Sequence, residues 1–263
     1  MYARVFVCAA SVALTAAPCL AQATIDGART AVPIDSADAL YFAGQAEEAF
    51  ELLRSHLVGH PDDYDALWRV VRSTLIMGVA ADGWRLQNSW LDTGMDFGDR
   101  VVALRPDGIE GLYWRGAVTG RRALNAVPEY GAQLAQKAYD DAQTILTLDP
   151  HHGGAHNILG KIFFEVMSLS RIERFFGRTF VRTDALRESS WEKAELHLEE
   201  AATDWPDWVL FQYDLAELYR RRGRKDEARA AYAHVARMSA LHPSDEALQS
   251  DAERELEELG GSC

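Results

Sequence analysis

The sequence predicts an all-α protein of stacked antiparallel helix pairs, and two observations carry that prediction. Five prolines, Pro61, Pro106, Pro150, Pro206 and Pro243, each follow a helix-forming run in a similar setting: His-Pro-Asp, Arg-Pro-Asp, Asp-Pro-His, Trp-Pro-Asp and His-Pro-Ser. Their separations are 45, 44, 56 and 37 residues. Proline has no amide hydrogen and cannot continue a helix, so each one marks a helix end and a turn. The second observation lies upstream of those prolines. Ala49, Ala138 and Ala194 each stand 12 residues before their proline, and Gly94 fills the same slot before Pro106. A small residue at a fixed offset lets two helix axes approach closely. Apolar residues around it recur at helical spacing, as in Ala194, Leu196, Leu198 and Ala201, while strand-type alternation is nearly absent.

Composition sets the outer bounds. With 263 residues, 48% apolar and 25% charged, the chain can bury a sizeable core and is not disordered throughout. Its 27 basic and 40 acidic residues give a formal charge of −13. That is the wrong sign for a protein that coats nucleic acid. Three cysteines are too few for a disulfide scaffold.

Residues 1–23 read as a secretory signal peptide: an early cation at Arg4, an apolar run from Val5 to Ala17, and Ala21-Gln22-Ala23 before the cut. The run is short of the roughly 20 residues that span a bilayer. Pro18 stands where a small residue would precede a lipid-modified Cys19. Cleavage after Ala23 removes one cation and no acid, leaving 26 basic against 40 acidic residues and a charge of −14. It leaves Cys263 alone, so the mature chain forms no internal disulfide. Residues 24–35 are a lead-in, residues 36–243 hold about five helix pairs, and residues 244–263 form an acidic capping helix and tail. The expected location is the periplasm or the exterior.

Three repeat units can be written out. The fifth proline is preceded by Leu215-Ala216-x-x-Tyr219-x-x-x-Gly223-x-x-x-x-Ala228-x-x-x-Tyr232, where Gly223 turns the chain between two helices. Another reads Leu40-Tyr41-x-x-Gly44-x-x-x-x-Ala49 and runs to Pro61. A third opens with Leu159-Gly160-x-x-Phe163 and closes with Ser189-Ser190-Trp191-Glu192-Lys193-Ala194, in which Ser189 and Glu192 have the spacing of a capping box. These units resemble the tetratricopeptide repeat, a helix pair of about 34 residues. The resemblance implies a right-handed superhelix, and the longer spacings imply insertions within repeats.

A narrower resemblance is carried by Asn157 to Arg174, by Leu148-Asp149-Pro150 and by Ala66-Leu67-Trp68-Arg69-Val70-Val71-Arg72. These stretches look like the matching segments of the regulator of microtubule dynamics family, over roughly residues 36–245. Less closely, Tyr113-Trp114 and Leu159-Gly160 are similar to the T component of TRAP transporters. The family resemblance implies a binding or adaptor domain and no catalysis. A signal peptide followed directly by repeats, with no membrane helix, departs from the membrane-anchored members.

No catalytic or cofactor motif is present: no phosphate loop, no Gly-x-Ser-x-Gly, no His-Glu-x-x-His and no Cys-x-x-Cys. His152 and His156 have metal-ligand spacing, but Gly153-Gly154 places the first histidines in a turn, and neither a metal nor a cofactor is expected. Glu165, on an apolar helix, needs a partner such as Arg69, Arg72 or Lys161. In helical repeats the concave surface is lined by the first helix of each pair. Trp68, Arg72, Tyr113, Arg121, Asn157, Lys161, Phe164, Tyr213, Glu217 and Arg220 project from such positions, and with Glu165 they form the candidate groove. It reads as aromatic and cationic, although Trp68 and Tyr113 also suit packing between repeats. A protein or peptide segment is the expected occupant, with an anionic or lipid ligand of a transport system as the alternative. Arg171 to Arg182, alternating arginine with phenylalanine, reads as a cap folded back on the superhelix or as a peripheral membrane contact.

Overall fold

In a computed structural model of the chain, residues 34–170 and 183–260 are described, and every regular element among them is α-helical. The expected signal peptide, the Arg/Phe segment 171–182 and Cys263 lie outside the described residues. Five helix pairs follow in order. They are α1 (34–42) with α2 (Ala46–Gly59), α3 (Tyr64–Ala80) with α4 (Trp84–Leu104), and α5 (Ile109–Ala123) with α6 (Pro128–Leu148). The fourth joins α7 (Gly153–Ser168) to α9 (Trp191–Asp204), across an insertion holding the short α8 (Asp184–Glu188). The fifth is α10 (Val209–Arg221) with α11 (Lys225–Val235), and α12 (Asp245–Gly260) packs behind it.

The prolines do what their chemistry requires. Pro61, Pro106, Pro150, Pro206 and Pro243 lie in the connections that follow α2, α4, α6, α9 and α11. The residue ahead of each of the first four is driven out of the helical region, with ψ of 65°, 89°, 95° and 71° at His60, Arg105, Asp149 and Trp205. Steric conflict with the proline ring forces this. Each of these residues still donates its amide hydrogen to the carbonyl four residues back. Turn chemistry within pairs is equally local. Gly44 and Gly223 adopt φ of +79° and +75°, a left-handed conformation that side chains resist.

The small residues sit at the crossings. Ala49, Ala138, Ala194 and Ala228 are fully buried on the second helices of their pairs. At Gly94 a Cβ would lie 2.4 Å from Thr74 Oγ1 and 2.9 Å from Val118 Cγ2, so α4 touches α3 and α5 at one point. The expected apolar face of α9 needs one correction. Ala194, Leu198 and Ala201 are buried, but Leu196 is 53% exposed because two residues turn a helix by about 200°. The cap also shifts by one residue. Ser190 receives the amide hydrogen of Lys193 on its side chain, while Ser189 donates its hydroxyl back to Ala185 O.

Packing follows a two-layer plan. Helices α3, α5, α7 and α10 touch in series and make the inner layer, while each second helix packs outside its own partner and the next repeat. A continuous apolar core runs from α1 to α10, and a second cluster around Val209, Ala216 and Tyr232 joins α10 to α12. The curvature brings the ends together. The Phe42 ring stands 5.7 Å from that of His242, which lies 4.2 Å from Trp208.

Candidate functional site

The inner helices repeat in register. Trp68, Tyr113, Asn157 and Tyr213 occupy equivalent positions, separated by the same 45, 44 and 56 residues as the prolines. One turn further along, Arg72, Ala117, Lys161 and Glu217 are equivalent, and beyond them Ile76, Arg121, Glu165 and Arg221. The structure turns these rows into three different environments.

At the first end, Trp68 and Tyr113 serve packing. Trp68 stacks almost parallel on Trp114, ring centres 6.4 Å apart, with the Arg69 guanidinium 3.9 Å from the centre of its ring. Tyr113 is buried among Trp114, His152, Trp205 and Trp208. Arg72 is buried over the Tyr41 ring and pairs with Asp38, which also binds Arg69 at 2.9 Å. Burial works to raise the Asp38 pKa, but hydrogen bonds and charge from the two arginines prevail and hold it below the ordinary value. Glu110 faces the same arginines from α5. Burial nevertheless raises its pKa, against the pull of Trp114, Arg69 and Arg72.

In the centre lies a polar cluster between α7 and α10. Lys161 Nζ reaches Asp214 at 2.9 Å, Glu217 at 2.8 Å and Glu165 at 3.7 Å. Asn157 donates to the other oxygen of Asp214 at 2.8 Å. Burial disfavours the Lys161 ammonium, but the nearby carboxylates overcome it and raise its pKa. Glu165 goes up through burial, with Glu217 and Asp214 adding to the rise and Lys161 opposing it. Of the three partners weighed for Glu165, Lys161 is the one in reach.

At the far end, Arg220 pairs with Glu255 at 2.7 Å and Glu258 at 2.8 Å, both from α12. The terminal helix therefore covers part of the inner face as well as capping the array. A cleft of about 450 Å³ opens here, lined by Phe164, Ser168, Glu217, Arg220, Arg221 and Tyr232. Tyr213 meets Tyr232 edge to face at 5.7 Å, and burial pushes the Tyr213 phenol up to about 12.

This arrangement corrects the expectation of a cationic groove. Arg72, Lys161 and Arg220 each carry carboxylate partners, so the face is close to balanced. Arg121 differs: its Nε is buried without a hydrogen-bond acceptor. Asp38, Glu110, Asp214, Glu255 and Tyr232 belong to the same surface and were missed in the sequence. The repeat offset leads from Arg69 to Asp214 and so could have found that one. Glu110, on α5, stands at the 45-residue offset from Asp65 and could have been found likewise, whereas Asp38, Glu255 and Tyr232 come from flanking helices, for which no such offset exists.

The histidines have structural roles. His152 caps α7, its Nδ1 accepting from Ala155 N at 3.0 Å. His156 Nδ1 lies 2.9 Å from Nδ1 of His197. No group of three or more His, Cys, Asp or Glu among the described residues is placed to hold a metal ion. No described helix is long and apolar enough to cross a membrane.

Comparison with solved structures places the fold. A thermophilic tetratricopeptide-repeat protein of Thermus thermophilus is 23% identical, with a TM-score of 0.64, over 85% of this chain and 97% of that one. MamA of Desulfovibrio magneticus is 16% identical with a TM-score of 0.44, over 88% and 96% of the two chains. A tetratricopeptide-repeat protein of Parabacteroides merdae is 15% identical with a TM-score of 0.38, over 86% and 87%. No curated protein matches the chain. The architecture is thus a helical repeat of the tetratricopeptide type. The family model described as regulator of microtubule dynamics protein 1-3 matches residues 34–260, the whole array from α1 to α12, and the chain belongs to that family.

Proposed function

We propose that this chain is a non-catalytic adaptor that holds a polypeptide segment along the inner layer formed by α3, α5, α7 and α10. The observation that carries this reading is the charge-balanced inner face, on which the repeat-equivalent Arg72, Lys161 and Glu217 are interrupted by the small Ala117 and flanked by Glu165 and Arg220. Alternating donors and acceptors at helical spacing suit the amides and mixed side chains of a peptide. An acyl chain would need an apolar channel, and the cleft at Phe164 is bordered by Glu217, Arg220 and Arg221 instead. The leader-like residues 1–23 support export to the periplasm or beyond. Amino-terminal sequencing of protein from its own host tests that point, with Thr24 as the expected first residue.

Selection of displayed random peptides on the full chain tests the adaptor reading. Binding should weaken about tenfold or more when Ala117→Arg places a bulky cation on the inner face. Val58→Arg, on a residue 85% exposed on α2, should leave it unchanged. Failure to select any peptide, or equal loss in both variants, would sink the reading.

A further inference from the structure

The cleft at the far end holds two hydroxyls that the rest of the fold leaves without work. Tyr232 is fully buried, yet its Oη makes no hydrogen bond. Ser168 Oγ, at the end of α7 and in the lining of the same cleft, is buried and makes none either. A buried polar group without a partner is costly, and folded proteins keep few of them. Other hydroxyls near these helices are satisfied: Ser189 Oγ donates to Ala185 O at 2.6 Å, and Tyr219 Oη donates to Glu199 at 3.2 Å. The two unpartnered hydroxyls line one cleft.

We infer that this cleft is an anchoring subsite for a neutral amide of the bound segment, held by Tyr232 Oη and Ser168 Oγ. The inference rests on the peptide-binding reading above and says where such a segment is gripped. Charge balance selects an amide over a carboxylate. Arg220 is already neutralised by Glu255 and Glu258, and Glu217 by Lys161. Arg221 spends one N–H on Ser168 O at 2.9 Å. A carboxylate would approach Glu217 and Glu255 at close range, whereas an amide carbonyl can accept from both hydroxyls while its N–H faces Glu217. Tyr232 remains a donor at all ordinary pH, because burial, Glu255 and Glu217 keep its phenol protonated. Phe164 supplies an apolar floor.

The experiment pairs stability with affinity. Tyr232→Phe removes only the unpartnered hydroxyl, so the free protein should melt at the same temperature or a few degrees higher. A peptide selected on the wild-type chain should bind Tyr232→Phe and Ser168→Ala about tenfold more weakly. Substituting single acidic residues of that peptide by their amides should not weaken it. A clear fall in the melting temperature of Tyr232→Phe would mean that water already satisfies the hydroxyl, and would overturn the inference. Unchanged peptide affinity in both variants would overturn it too, leaving the adaptor reading intact. A readout independent of peptide selection uses N-acetylglycine methylamide as the probe and the side-chain resonance of isotopically labelled Tyr232. A saturable shift, lost in Ser168→Ala, is expected. No saturable shift would overturn the subsite.

Discussion

Replacing Lys161 by methionine would leave three carboxylates facing one another at the junction of α7 and α10. Asp214, with a side chain 5% exposed, would keep only the Asn157 amide, and Glu217 and Glu165 would stand nearby uncompensated. Removing one partner of a buried ion pair costs about 3–5 kcal/mol. The Lys161 side chain is 28% exposed, which screens the loss and places it near about 3 kcal/mol. For a chain of this size that lowers the melting temperature by roughly 6–12 °C. Adding Asp214→Asn to Lys161→Met removes the charge left stranded and should recover about 2 kcal/mol, a coupling typical of direct contacts. The deficit should also shrink with acid. Burial already raises the Glu165 pKa and Lys161 opposes the rise, so without the ammonium Glu165 protonates more readily in the folded chain and the variant gains on the wild type as pH falls from 7 towards about 4. Urea unfolding of the wild type, Lys161→Met, Asp214→Asn and the double variant at both pH values measures all of this. A deficit below about 1 kcal/mol, or a double variant no more stable than Lys161→Met, would refute the picture of a buried charge network.

Two further outcomes follow from the packing. Burial, together with the nearby charges of His156 and Lys193, lowers the His197 pKa to about 4, from 6.5 in the unfolded chain. The resulting stability is complete above about pH 6.5, falls by about 2 kcal/mol at pH 5 and is lost near pH 4, because the unfolded state takes up the proton first. His152 and His242 are lowered by burial and act in the same direction. His197→Leu should flatten the stability profile across that window, and an unchanged slope would remove His197 as its source. Gly94→Val should destabilise by about 1–3 kcal/mol despite valine's better helix propensity, since its Cβ meets Thr74 and Val118. Chemical denaturation decides, and a variant as stable as the wild type would mean that the α3–α4–α5 crossing yields easily.

Much of the architecture was readable because it depends on residues acting within a few positions of themselves. Proline excludes the helix at the preceding residue, a left-handed turn favours glycine, and a close crossing admits only a small side chain. Pro61 to Pro243, Gly44, Gly223 and the Ala49–Gly94–Ala138–Ala194 series therefore marked helix ends, turns and contacts. Readings that needed finer resolution slipped, as Ser189 did against Ser190 and Leu196 did against the buried face of α9. A helix rotates by about 100° per residue, so an error of one position changes which group is capped or buried.

The inner face was legible only as a set of projecting positions. Which members would pair depended on superhelical curvature and on helices far away in the chain. Asp38 reaches Arg72 from α1, Asp214 reaches Lys161 across 53 residues, and Glu255 and Glu258 reach Arg220 from α12. Charge neutralisation, the fate of Trp68 and Tyr113 as packing residues, and the two unpartnered hydroxyls of the cleft are properties of those distances. Local rules for proline, glycine and alanine suffice for a repeat of helix pairs, because each rule is satisfied or broken within one turn. Electrostatic and hydrogen-bond balance is decided by who stands within about 4 Å, and only the assembled superhelix sets that.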